Sequence, residues 1–161
     1  MFEVATEILI MLLASNAAPI LVAWLFRSAG DLPLDLGHHL ADGRPLFGSS
    51  KTWRGLVASL VVACVLSAAL GFGYHFGLVF GALVMTGDLF SSFVKRRRGL
   101  APGDQSLGLD QLPESVAPTL YAVAVTGIPW WWVILLPLAF MLLELVVSRP
   151  LYWLKIRKRP Y

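Results

Sequence analysis

Charge is what this chain has least of. Of its 161 residues, 14% are Asp, Glu, Lys or Arg against 57% hydrophobic, and the mean hydropathy is +0.71. A soluble domain carries roughly 25% charged residues, and one small core cannot hide this much apolar surface from water. The composition fits a lipid bilayer. Cysteine is nearly missing too: Cys64 stands alone in an apolar run, which excludes a disulfide framework and reads as a small packing residue. The N-terminus lacks the Lys or Arg of a secretory leader, has Glu3 and Glu7 instead, and leads into an apolar stretch too long for one. Nothing points to nucleic acid, and the basic pI near 9.3 follows from cations gathered on one face.

The apolar runs are abundant and their breaks set the fold. A bilayer core of about 30 Å takes roughly 20 residues of helix. Ile8 to Phe26 is one uncharged run, interrupted only by Ser15, Asn16 and Pro19. Gly55 to Gly87 is 33 residues, too long for one span, and Gly71-Phe72-Gly73-Tyr74-His75-Phe76-Gly77 supplies a glycine turn with interfacial aromatics. Ser115 to Leu143 divides likewise at Gly127-Ile128-Pro129, before Trp130, Trp131 and Trp132. The expectation is an all-α integral membrane protein in a single domain, 1–161, with five transmembrane helices at about 6–27, 53–71, 76–95, 114–127 and 131–154. With these breaks all thirteen Lys and Arg, from Arg27 to the tail residues Arg157, Lys158 and Arg159, fall on one side. The positive-inside rule makes that side cytosolic, with the N-terminus outside and the C-terminus inside. A multi-pass protein of the cell membrane follows, its working loops at 28–52 and 96–113 on the cytosolic side.

Chemistry concentrates there. Asp88, Ser92 and Lys95 share one face of the third helix, with Ser91 beside them. Asp88 lies about two turns deeper than the Lys95-Arg96-Arg97-Arg98 cluster, and an ionisable group so placed either carries function or pairs with a neighbouring cation. Asp104, Asp110 and Glu114 follow within eleven residues. Carboxylates are the oxygen ligands a hard cation such as Mg2+ takes, and Lys and Arg complete a polyphosphate site. A basic run alone would mean only topology or anionic lipid. The stretch Gly48-Ser49-Ser50-Lys51-Thr52-Trp53-Arg54 misses the nucleotide-hydrolase phosphate loop by its spacing, yet a lysine and hydroxyl at a helix start attract anions through free N–H groups. The plainer alternative is an N-cap with snorkelling Lys51 and Arg54. Asn16 with Pro19 reads equally as a packing hydrogen bond at a kink or a ligand contact. Glu144 reads as an ion pair with Arg149.

Phe47-Gly48, Lys51-Thr52-Trp53-Arg54-Gly55, Gly87-Asp88-Leu89, Ser92, Lys95-Arg96-Arg97, Gly99, Pro102-Gly103 and Leu109-Asp110-Gln111, in this order, resemble the CDP-archaeol synthase family. The Asn16 to Pro19 segment is similar to that family's first span, and the Gly-Asp-Leu, Ser and Lys-Arg spacing also resembles the larger phosphatidate cytidylyltransferases. The chain departs in having Pro113-Glu114 where an acidic residue often directly follows Asp-Gln-Leu. The resemblance implies a Mg2+-dependent nucleotidyltransferase that joins CTP to a membrane lipid phosphate, giving CDP-lipid and pyrophosphate. It implies Asp88, Lys95 and Asp110 as catalytic residues, with metal on Asp88 and Asp110 and with Asp104 and Glu114 as further candidates. Lys51, Thr52, Arg54, Ser92, Arg96 and Arg97 would hold CTP or phosphate, and Asn16 the lipid or the helix. A homodimer stays open. The rivals are an anionic-solute transporter, although the outer half bears only Glu3, Glu7 and His75, and a non-catalytic membrane subunit, which leaves Asp88 idle. A CDP-alcohol phosphotransferase is excluded, because Asp42-Gly43 is followed at once by Arg44.

Overall fold

The computed structural model describes residues 1–27 and 31–155, apart from the side chains of Arg149 and Leu151. The basic tail residues Arg157, Lys158 and Arg159 and any Glu144–Arg149 pair lie outside the described residues. Five helices make up the fold: α1 (Phe2–Phe26), α2 (Trp53–Ala69), α3 (Tyr74–Arg97), α4 (Gln111–Thr126) and α5 (Trp132–Trp153). Their limits differ from the expected ones by a few residues. The N-terminus of α1 reaches back to Phe2, because Glu3 at its first turn favours the helix dipole. The second polar connection is shorter than 96–113, since α3 continues through Arg97 and α4 already starts at Gln111.

The helices pack in a ring, α1 against α2, α2 against α3, α3 against α4, α4 against α5 and α5 back against α1. The core lies in the half of the bundle away from the polar loops, where Ile8, Met11, Leu12, Phe80, Val84, Ala122, Leu136 and Phe140 are buried. Phe76 stacks on Phe72 and Phe80 there, with ring centroids 4.9 and 5.9 Å apart. Outward, the helices present Val57, Val61 and Val65, Leu78, Leu120 and Leu138 to their surroundings. Such faces suit hydrocarbon, and α1 and α3 are each long and apolar enough to cross a membrane.

Between helices in lipid there is little hydrophobic drive, so close approach through small residues takes its place. A methyl at Gly77 of α3 would lie 2.6 Å from the Ala63 carbonyl of α2. Gly87 is tighter still: a methyl there would fall on the Pro113 carbonyl and 2.5 Å from Cα of Glu114. Only glycine lets α3 touch the backbone of α4 at this level.

The first polar loop is ordered by Asp35, which is 7% exposed. Its carboxylate accepts the backbone N–H groups of Gly48 (2.8 Å), Phe47 (2.9 Å) and Gly37 (3.1 Å). Burial opposes ionisation of this carboxyl, but those three donors outweigh it and hold its pKa below the ordinary value.

Two outcomes follow for the fold. Gly87→Ala is expected to lower stability by about 1–3 kcal/mol through overpacking against backbone that cannot yield, read as a lower thermal midpoint in detergent. Wild-type stability would refute the close approach. Asp35→Asn is expected to speed amide exchange at Phe47 and Gly48. A depressed carboxyl stabilises above its unfolded pKa of about 3.8 and loses the effect as pH falls through the lower folded value. The wild type should therefore lose this protection only below that pH, and equal exchange in both proteins at neutral pH would rule the role out.

Candidate active site

The inner end of the ring holds a cavity of about 1220 Å³ open to the polar loops. Its depth comes from unequal helices. α2 and α4 have 17 and 16 residues, α1 and α3 have 25 and 24. At 1.5 Å per residue the short pair spans only about 24–26 Å. Their N-termini therefore start inside the bundle while α3 runs on beside them. The two polar loops fold into the space left over.

Asp88 lies where α2 begins. Both of its oxygens meet Lys51 Nζ, at 2.5 and 2.6 Å, and each side chain keeps about a fifth of its surface exposed to the cavity. Burial disfavours the charge on Lys51, yet Asp88, with Glu114 and Asp110 beyond it, more than offsets this and holds the ammonium above its usual range. Lys95, two turns further along α3, pairs with Asp110 at 2.5 Å and donates to the Asp104 carbonyl at 3.0 Å. Asp110 also accepts the Ser106 N–H at 2.8 Å, and Asp104 accepts that of Ala101 at 2.7 Å, so each carboxylate is built into its loop. Asp88, Asp110, Asp104, Glu114 and Ser92 all line the one cavity.

Arg96 is the least satisfied group in it. The residue is 3% exposed, its Nε and Nη1 are buried without a hydrogen-bond partner, and it borders the cavity between Gly48 and Pro102. A buried guanidinium with idle donors is costly unless an anion arrives to meet them.

Arg97 and Arg54, expected as phosphate ligands, are engaged with other partners in the structure. Arg97 points the other way, with Nη1 2.6 Å from both oxygens of Asp42, Nη2 donating to the carbonyls of Arg44 and Pro45, and the guanidinium 5.4 Å above the Phe93 ring. The Arg44 N–H and Arg97 together keep the Asp42 carboxyl below its ordinary pKa. Arg54 donates to Asp31 at 2.9 Å and to the Arg27 carbonyl at 3.0 Å. Neither arginine lines the cavity, although Asp31 and Arg27, which Arg54 holds, both do. Successive helical residues point about 100° apart, so neighbours in a basic run part company. Several N–H groups around the start of α2 already have acceptors. The Thr52 hydroxyl accepts the Gly55 N–H at 3.2 Å, the Trp53 N–H goes to Leu32, and those of Phe47 and Gly48 are filled by Asp35. Thr52 still borders the cavity, as does Asn16, whose amide donates to the Leu12 carbonyl at 3.0 Å one turn below Pro19.

Sequence reasoning missed Glu144. α5 brings it to the cavity floor in the electrostatic neighbourhood of Glu114. The available signal was its carboxylate within an otherwise apolar span, the same signal that singled out Asp88.

As a metal centre the site is diffuse. Among the described residues no group of three or more His, Cys, Asp or Glu is close enough to hold an ion unaided. The donors nevertheless suit a hard divalent cation, being carboxylate oxygens, and Asp88 already wraps both oxygens around one positive charge.

Comparison with known proteins identifies the family. A family model described as CarS-like, CDP-archaeol synthase, matches residues 1–72 and 66–161. The CDP-archaeol synthase of Pyrococcus furiosus is 36% identical over 151 residues, covering 86% of this chain and 81% of its own. That of Thermococcus onnurineus is 35% identical over 152 residues, covering 86% and 80%. A solved structure described as an intramembrane enzyme for archaeal membrane lipid biosynthesis superposes with a TM-score of 0.72 at 27% identity, covering 89% of this chain and 92% of that one. This chain belongs to the CDP-archaeol synthase family.

Proposed function

We propose that the bundle and its two loops act as one catalytic unit, transferring CMP from CTP to a lipid phosphate at the inner end of the ring. The relatives are named for the synthesis of a CDP-lipid, and this chain is a membrane cytidylyltransferase of that kind. An archaeol-type ether lipid phosphate is the acceptor in our reading, with a phosphatidate as the related ester. The observation that carries it is Arg96, a buried cation with idle donors on the wall of a cavity that also holds Lys51 and Lys95.

An oxygen of the lipid phosphate attacks the α-phosphorus of CTP. A new P–O bond forms as the bond from the α-phosphorus to the bridging oxygen breaks, and its electron pair leaves with pyrophosphate. The acceptor is its own nucleophile, so the protein needs no serine or cysteine for the step. Nucleotidyl transfer of this kind depends on alignment and charge neutralisation. Lys95 and Arg96 meet the charge gathering on the pyrophosphate, and Lys51 holds the incoming phosphate. Ser92 and Thr52 offer hydroxyl contacts from the same walls. Asn16 borders the deep side, where the lipid backbone would lie. Such enzymes generally depend on a divalent metal. Asp88 and Asp110 would hold Mg2+, with Asp104, Glu114 or Glu144 nearby, and the ion would neutralise phosphate oxygens and polarise the α-phosphorus.

The same reading sets the protein in the cell membrane with five crossings, the N-terminus outside and the site facing the cytosol. The described basic side chains support it, since they lie at the end of the bundle that bears the two polar loops. A soluble nucleotide then meets a bilayer substrate at the boundary of their two phases.

Purified protein given CTP, Mg2+ and a panel of ether and ester lipid phosphates is expected to release pyrophosphate and form CDP-lipid. Asp88→Asn and Asp110→Asn should each cut turnover by about 100-fold or more while the protein still inserts and melts cooperatively. Wild-type rates in both variants would remove the carboxylates from the mechanism. The two neighbouring arginines separate as well. Arg96→Gln should raise KM for CTP and depress kcat, whereas Arg97→Gln should lower the thermal midpoint with near-normal kcat per folded molecule. The reverse pattern would overturn the assignment of Arg96 to phosphate.

A further inference from the structure

We propose that the lipid enters sideways, through the seam between α1 and the inner half of α5, and that its hydrocarbon chains lie in that seam while the phosphate reaches the cations. The idea rests on the cytidylyltransferase reading above and adds where the acceptor binds.

Other seams of the ring are closed at the level of the cavity. Between α1 and α2, a methyl at Gly55 would sit 3.1 Å from Cβ of Pro19. Lys51 and Asp88 bridge the start of α2 to α3. Gly87 touches the backbone at Pro113 and Glu114, joining α3 to α4. α4 packs on α5, with the buried Glu114 of α4 in the electrostatic neighbourhood of Glu144 of α5.

The α1/α5 seam is held at its outer end instead, where the Phe2 ring meets Trp132 edge-on with centroids 5.5 Å apart. Helical register carries those two faces inward. Ile20 and Trp24 lie five and six turns below Phe2, at about its angle on α1, and Leu143 and Val146 lie three and four turns below Trp132 on α5. In a closed seam these side chains would bury each other. Trp24, Leu143 and Val146 are instead 51%, 37% and 67% exposed. None of residues 19–26 of α1 is buried, although Ala5, Ile8, Met11, Leu12, Ser15 and Ala18 before them are. The two helices meet at the outer end and part toward the inner one.

The gap is continuous with the catalytic cavity, for Ile20, Ala23 and Trp24 line that cavity from one side and Glu144 and Lys155 from the other. One end of the joined space is cationic, at Lys51, Lys95 and Arg96, and toward the seam the α1 wall is apolar at Ile20, Ala23 and Trp24, with Leu143 and Val146 of α5 exposed beyond it. An amphiphile with a phosphate head and hydrocarbon chains matches both ends. A nucleotide matches only the first.

Leu143→Trp and Val146→Trp should raise KM for a long-chain lipid phosphate by about tenfold. KM for CTP and for a water-soluble short-chain lipid phosphate should stay within about twofold. Val57→Trp, on the outward face of α2, should change none of the three. Equal losses with both acceptors, or unchanged long-chain kinetics, would overturn the proposal; the latter is also the outcome if a partner helix covers the seam. A benzophenone side chain at Leu143 gives a test independent of folding losses: it should capture a radiolabelled long-chain lipid phosphate on illumination, while one at Val57 should not. Equal capture at both positions would refute the seam. A wild type that forms no CDP-lipid would sink the catalytic reading, whereas an active wild type with indifferent seam variants would sink only this one.

Discussion

The pairing of Lys51 with Asp88 is the constraint around which the inner end is arranged. A carboxylate set two turns inside a membrane helix is expensive alone and tolerable beside a cation. Here the cation comes from the last residues of a polar loop, so satisfying Asp88 draws that loop into the bundle and fixes the level at which α2 begins. Lys95 and Asp110 repeat the device one connection later and fix the start of α4. Neither pair sits in a dry core; all four side chains keep some exposure to one cavity. Removing one member of either pair leaves a stranded charge, which costs more than the pair contributes. On the proposed reading the same groups are structural when the cavity holds only water and available when a polyphosphate arrives.

A polar chamber inside an apolar bundle needs room as well as charge. Long helices packed side by side along their whole length would leave none. Two short helices alternating with longer ones in the ring open a chamber at the end that bears the loops, and α3, continuing about nine residues past Asp88, supplies its tall wall. The glycine contacts at Gly77 and Gly87 matter here because they bind α3 tightly to both short neighbours. The wall stands although those neighbours end beneath it.

What could be read from the sequence divides along a physical line. Five helices and their breaks were legible because hydropathy and turn glycines act locally, and lipid enforces helices wherever an apolar run is long enough. The gathering of Asp88, Lys95 and Asp110 was legible because helical spacing and burial cost both act along the chain. The directions of single side chains were not. Lys95-Arg96-Arg97 looks uniform as text, yet Arg96 turns to the cavity and Arg97 to Asp42, and only the position of the first loop decides between them. Asp35, which fills the N–H groups that looked free for phosphate, left no trace, since one aspartate in a polar loop has no period to betray it. Glu144 was read as half of a local ion pair because Glu114, the carboxyl whose electrostatic neighbourhood it shares, lies on another helix.

The last step concerns phases. The two substrates of a lipid nucleotidyl transfer cannot share an entrance, because one is a polyanion confined to water and the other is anchored in hydrocarbon. An enzyme buried wholly in either phase would have to drag one substrate across the boundary, at a cost set by its charge or its chain length. A bundle closed in its outer half and parted in its inner half avoids that cost, offering an aqueous mouth from the end and an apolar flank from the side. The cations must then stand where the two routes cross. On the proposed reading Lys51, Lys95 and Arg96, which line the cavity, stand at that crossing, and a site set deeper would lose the nucleotide while a shallower one would lose the lipid head.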